Sequence, residues 1–128
     1  IILFGGKEDK ELCGSIISSI ESNSNNKLVN ACGITLQQSA ALMKKCSLFI
    51  THDSGPMHIA DAAGIPIIAL FGPTGPKRFA PLSSVVIRKN LKCSPCYDIY
   101  GNYKKCKHHN CMNLIKTEEV IRAAKKLL

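Results

Sequence analysis

An α/β fold built on a doubly wound parallel sheet is predicted by three features of this 128-residue sequence. Short apolar runs alternate with stretches of helical periodicity. Residues 65–71 are near-continuously apolar, as a strand buried on both faces of a parallel sheet requires. Between a strand pattern and a helix pattern lies the polar cluster Thr51-His52-Asp53-Ser54-Gly55-Pro56-Met57-His58, placed where α/β proteins bind ligands.

Taken in order, residues 1–4 form a strand and residues 9–21 an amphipathic helix with Leu12, Ile16 and Ile20 on one face. Ser22-Asn23-Ser24-Asn25-Asn26 is a polar loop and Leu28-Val29 a short strand. Thr35 opens the next helix, where Gln38 completes a capping box and Leu36, Ala40 and Met43 face the core. Leu48-Phe49-Ile50 is the strand before the polar cluster. The helix after it has Pro56 as first residue and ends near Gly64 in a left-handed cap. The strand at 65–71 is closed by Gly72-Pro73-Thr74-Gly75-Pro76, at the same strand end as the cluster. Val85-Val86-Ile87 is a fifth strand. Thr117 caps a terminal helix with Val120, Ile121, Ala124 and Leu128 inward. Right-handed crossovers make this a Rossmann-like layer, one domain over residues 1–128 with a cysteine-rich insertion at 92–112.

The composition, 45% hydrophobic and 20% charged, is that of a soluble globular domain rather than a disordered tail. No apolar run reaches the length of a membrane span, and no secretory leader is recognisable. The sequence opens on Ile1-Ile2-Leu3-Phe4-Gly5-Gly6, inside a strand pattern, which reads as a segment of a longer protein. The charge of +8 is spread out apart from Lys104, Lys105 and Lys107 beside His108 and His109. Without aromatic interleaving to stack bases, no nucleic-acid partner is expected. A basic face suits an anionic nucleotide donor or the acidic surface of a membrane.

The polar cluster joins a strand end to a helix start, so first-turn amides of Gly55, Met57 and His58 can point at an anion. Gly55 lets a phosphate approach closely. Asp53 is a poor neighbour for a diphosphate, since like charges repel, and is better matched to a sugar hydroxyl. Its alternative is a helix cap. Ser54 offers a hydroxyl and Met57 an amide, the Met57 side chain being core. His58 can donate to phosphate oxygen, or else lie buried against a carbonyl. His52 points to the opposite face of the strand and is not a ligand. Thr74 and Gly75 touch phosphate or sugar, or serve only as turn residues. No G-x-G-x-x-G follows the first strand and no P-loop motif exists, so neither a dinucleotide oxidoreductase nor a P-loop NTPase is supported.

Asp53-Ser54-Gly55-Pro56-Met57-His58-Ile59-Ala60, the spacing to Gly64-Ile65-Pro66, and Ala69-Leu70-Phe71-Gly72-Pro73-Thr74 resemble the signature of glycosyltransferase family 9, the lipopolysaccharide heptosyltransferases. Cys93-Ser94-Pro95-Cys96 with Cys106, His109, Cys111 and Met112 resembles the cysteine-rich segment of members related to heptosyltransferase II. The resemblance implies a GT-B architecture of two Rossmann-like domains, this chain being most of the carboxyl-terminal, donor-binding one. It implies a cytoplasmic inverting transferase that moves heptose from ADP-heptose to the inner core of lipopolysaccharide, with no metal required for catalysis and at most peripheral contact with the inner membrane. Donor contacts then fall on Asp53, Ser54, Gly55, Pro56, Met57, His58, Thr74 and Gly75. Glu8 matches a carboxylate on the ribose, or merely favours a helix start, and Ile34 matches an apolar residue on the base, or is merely core. The catalytic base is expected in an amino-terminal domain outside this chain, which alone would be inactive. A transferase using another nucleotide sugar, or a non-catalytic nucleotide-binding module, are the alternatives.

Seven cysteines without a leader argue for reduced thiols. Cys13, Cys32 and Cys46 read as small buried hydrophobes. Cys93, Cys96, Cys106 and Cys111 either pack as free thiols or hold a structural zinc, with His108 or His109 able to replace one ligand. Tyr97, Tyr100 and Tyr103 make the insertion a candidate acceptor-side or inter-domain surface, a solvated loop being the default.

Overall fold

The computed structural model describes residues 1–21, 27–97 and 106–128. The expected loop at 22–26, and Tyr100, Tyr103, Lys104 and Lys105, lie outside them. The chain divides into two compact units, Ile1–Leu42 and Met43–Leu128.

In the first unit, strand β1 (Ile2–Leu3) pairs in parallel with β2 (Val29–Asn30), Ile2 opposite Val29. A 3-10 turn at Lys7–Asp9 leads into helix α1 (Lys10–Glu21). The turn is closed by the Gly6 amide, which donates to Asp9 Oδ2 at 2.8 Å. Helix α1 buries Cys13, whereas Leu12, Ile16 and Ile20, expected to share a face, remain exposed. Asn30 joins α1 to β2 by donating from Nδ2 to Lys10 O at 3.0 Å.

Helix α2 (Leu36–Met43) begins with the capping box that the sequence predicts. Thr35 N donates to Gln38 Oε1 at 2.9 Å and Gln38 N to Thr35 Oγ1 at 3.2 Å. Of its expected core residues Met43 is fully buried and Leu36 is exposed. A residue at the first helical position extends beyond the turns that pack, so helical spacing alone overstated its burial.

The second unit holds three parallel strands, β3 (Phe49–His52), β4 (Ile67–Phe71) and β5 (Val85–Arg88), with β4 central. The parallel ladders agree with the α/β prediction, and among the described residues the strands bond as two groups, β1-β2 and β3-β4-β5. On β4, Ile67, Ile68, Ala69 and Phe71 are each at most 1% exposed. Successive side chains point to opposite faces, so both faces of β4 are covered. Helices α3 (Gly55–Ala62), α5 (Asn110–Asn113) and α6 (Thr117–Leu127) pack on it. The short helices α4 (Pro76–Phe79) and α5 were not signalled by periodicity, which a single turn cannot display.

Helix α3 starts at Gly55, one residue before the expected proline, and ends in the predicted left-handed glycine, Gly64 at φ +72°. Gly64 N donates to Asp61 O at 2.9 Å and Ile65 N to Ala60 O at 3.2 Å, a Schellman closure. Helix α6 is capped by Lys116 rather than Thr117, with Glu119 Oε2 accepting the Lys116 N–H at 2.8 Å. Its expected inward residues Ile121 and Leu128 are exposed, 49% and 78%, while Val120 and Ala124 are half-buried. Among the described residues, no helix is long and apolar enough to cross a membrane.

Candidate functional site

Parallel register places His52 of β3 opposite Leu70 of β4, so the Asp53-Ser54 turn and the Gly72–Gly75 loop leave the same sheet edge from adjacent strands. Ser54, in extended backbone, is the N-cap of α3. Asp53 therefore is not the cap, which removes that alternative. The half-buried Asp53 carboxylate has no hydrogen-bond or ion-pair partner among the described residues.

The Ser54 hydroxyl does not cap the helix. It donates back to His52 O at 3.2 Å and lies 3.3 Å from Thr51 Oγ1, which itself donates to His52 O at 3.0 Å. The first-turn amides differ from expectation at Met57. Pro56 has no N–H, and Met57 N is taken up by Ser54 O at 3.1 Å, so neither can donate to an anion in this arrangement. The Met57 side chain is completely buried, as its assignment to the core predicts. Gly55 is exposed, and a Cβ built on it would meet nothing within 4 Å. His58 is exposed on the first turn of α3, which excludes its buried alternative, and His52 is also exposed.

Thr74 carries the second unpartnered group of this sheet edge: its Oγ1 is buried without a hydrogen-bond partner among the described residues. Such an atom costs about 1–3 kcal/mol if left dry, a cost that rotating the hydroxyl toward a bonding partner would remove. Gly75 is half-buried at the N-terminus of α4.

Glu8 and Ile34 belong to the first unit. They follow the carboxyl ends of β1 and β2, where Gly33 N donates to Gly5 O at 3.0 Å and Gly33, at φ +80°, lies against Lys7. Glu8 is exposed, its carboxylate folded against Gly6, and Ile34 is half-buried. Cys13 and Cys32 of the first unit are buried, and Cys46 of the second is half-buried. Burial, a hydrogen bond with Cys13 and the Asp9 and Glu8 carboxylates push the Cys32 thiol up to about 11.

All seven cysteines are free thiols. Among the described residues no group of three or more His, Cys, Asp or Glu side chains is placed to hold one metal ion. Cys93 is exposed, Cys111 is buried beneath Gly72, and the Cys106 sulfur accepts the His109 N–H at 3.4 Å. Burial and then the nearby Cys111, Cys106 and Cys93 thiols push the Cys96 thiol up. Ser94, which enters the sequence only as part of the cysteine-rich motif, donates from its hydroxyl to Gly72 O at 2.5 Å. A contact between residues so far apart in the chain leaves no local signal, although a glycine immediately after a buried strand marks a close approach.

Comparison with known proteins fits this geometry. The profile of Glycosyltransferase family 9 (heptosyltransferase) matches residues 1–107. Lipooligosaccharide heptosyltransferase 2 of Campylobacter jejuni is 38% identical over 134 residues, covering 99% of this chain and 40% of that protein. Lipopolysaccharide heptosyltransferase 2 of Salmonella typhimurium is 37% identical over 84 residues, covering 65% of this chain and 24% of that protein. The solved structure of Escherichia coli ADP-heptose LPS heptosyltransferase II superposes with a TM-score of 0.76 at 28% identity, over 98% of this chain and 35% of that one. A glycosyl transferase family 9 structure from Veillonella parvula gives 0.70 at 32% identity, with 98% and 35% coverage. The chain thus spans two fifths or less of the length of the relatives it matches. With the match running through both the Asp53 turn and the Gly72 loop, the chain belongs to glycosyltransferase family 9.

Proposed function

We propose that this chain is the donor-binding part of a GT-B heptosyltransferase whose acceptor-side part lies outside these 128 residues. The carrying observation is the half-buried, unpartnered Asp53 carboxylate on a turn whose next residues present a hydroxyl and an open glycine. Placed 4 Å from a diphosphate oxygen, Asp53 would suffer repulsion of about 4 kcal/mol at an effective dielectric of 20. A sugar hydroxyl instead gives it a donor. Asp53 thus orients the transferred sugar, while Gly55 N and His58 meet the diphosphate, and the Ser54 and Thr74 hydroxyls join them once their side chains rotate toward it.

An acceptor hydroxyl, giving its proton to a base in the part of the enzyme outside this chain, attacks the anomeric carbon as the bond to the nucleoside diphosphate breaks, inverting the centre. Charge gathering on the leaving oxygens meets donors already held in place, which is where electrostatic stabilisation is most effective. His58, exposed on the first turn of the helix, adds a ring N–H donor. Glu8 binds the ribose and Ile34 packs on the base. The relatives' names support ADP-heptose as donor and lipopolysaccharide as acceptor.

Replacing Asp53 by Ala in the full-length protein should reduce heptosyl transfer at least a hundredfold while ADP binding, read by calorimetry, stays within threefold. Undiminished transfer would show that Asp53 does not orient the sugar and would overturn the donor-site reading of this turn.

A further inference from the structure

The loop that leaves β4 is seated by chain that returns to it from the cysteine-rich segment. Ser94 Oγ donates to Gly72 O at 2.5 Å. The amides of Cys96 and Tyr97 both donate to Pro73 O at 2.9 Å. From α5, Met112 and Cys111 press on Gly72: a Cβ there would lie 2.6 Å from Met112 Sδ, 2.8 Å from Met112 Cγ and 3.0 Å from Cys111 Sγ. Gly72 has no positive φ, so space rather than backbone angle demands a glycine. Two consecutive carbonyls are thereby tied down immediately before Thr74, whose buried Oγ1 has no hydrogen-bond partner among the described residues.

We propose that Ser94 is a positioning residue for the nucleotide-sugar donor, fixing the Gly72-Pro73-Thr74 loop, together with Met112 beneath it, in its binding conformation. The proposal rests on the donor-site reading above. A surface loop free to turn its carbonyls over would lose that freedom each time donor bound, whereas a loop already held loses little. Ser94 touches no reacting atom in this scheme. Its effect falls on donor affinity rather than on the chemical step.

In the full-length transferase, Ser94→Ala should raise the donor KM five- to tenfold with kcat within twofold, and Ser94→Thr should return KM to within twofold of the parent. Gly72→Ala should raise KM likewise, and adding Met112→Ala should reverse most of that rise by removing the atoms in the way. This second route keeps Ser94 in place, so misfolding of Ser94→Ala does not block the test. A donor KM unchanged in Ser94→Ala, a loss carried by kcat alone, or a double variant no better than Gly72→Ala would overturn the proposal. Asp53→Ala in the same assay separates the two ideas. If it abolishes transfer while Ser94→Ala leaves KM unchanged, the positioning role fails and the donor site stands; if it transfers normally, the donor site fails.

Discussion

The Lys89 ammonium contacts both carboxylate oxygens of Glu119, 2.7 Å from Oε1 and 2.6 Å from Oε2. Lys89 directly follows β5 and Glu119 lies in the first turn of α6, so the pair ties the edge strand to the terminal helix. The same carboxylate accepts the Lys116 N–H, closing that turn. Hydrogen bonding from Lys89, then from Lys116, holds the Glu119 carboxyl below its ordinary value.

A carboxyl whose folded value is depressed contributes stability above the unfolded carboxyl range and loses it as pH falls through the folded value. Glu119→Gln should therefore lower the unfolding midpoint at pH 7, and the gap between variant and parent should narrow progressively below about pH 4.3. Side chains that remain 26% and 37% exposed are screened by salt, so the gap should also shrink in 0.5 M NaCl. Midpoints from circular dichroism at three pH values, with and without salt, measure both effects.

Gly64 should resist replacement for backbone reasons alone. At φ +72° it closes α3, and a Cβ there would meet nothing within 4 Å. Left-handed backbone costs a side-chain-bearing residue about 1–2 kcal/mol, partly offset by about 0.4–1 kcal/mol from the stiffer unfolded chain. Gly64→Ala should thus destabilise by about 1 kcal/mol, and Gly64→Asn by less, in urea unfolding.

The difference between what the residues announced and what they concealed follows from range. Thr35 with Gln38, and Gly64 after α3, are local devices whose partners lie within a few positions, and both formed as the residue order implies. The apolar run at 65–71 was equally legible, because a strand covered on both faces has no polar alternation to hide it. Leu12, Ile16, Leu36 and Ile121 misled, since periodicity identifies an apolar stripe but not what covers it. At the candidate site, Asp53 and Gly55 were legible as types on a turn. The capture of the Met57 amide by Ser54 and of Gly72 by Ser94 depends on tertiary closeness that no spacing rule carries.

The cysteines should separate by reactivity in the native protein. Cys93 is exposed, whereas Cys32 is buried with its thiol near 11, leaving about one thiolate in a thousand at pH 8. Maleimide followed by mass spectrometry should label Cys93 within minutes and Cys32 only after unfolding. Protection of Cys93 together with Cys96, Cys106 and Cys111 by one equivalent of zinc would show the four thiols gathering around an ion. Since the folded Cys32 value exceeds the ordinary 9.0, its contribution to stability is complete below that value and lost as pH rises through about 11.

Gly55 offers the sharpest separation of binding from folding. Its φ is not positive, it occupies the first position of α3, and a Cβ would enter open space rather than protein. Alanine is the better helix former by up to about 1 kcal/mol, less at a helix end, so Gly55→Ala should unfold at or slightly above the parent midpoint. If that open space is where the donor diphosphate rests, the added methyl occupies it and holds the phosphate off the Gly55 amide. Calorimetric titration of the full-length protein with ADP should then show affinity reduced at least tenfold in a protein that melts no earlier. Parent-like ADP affinity in Gly55→Ala would place the diphosphate away from this turn.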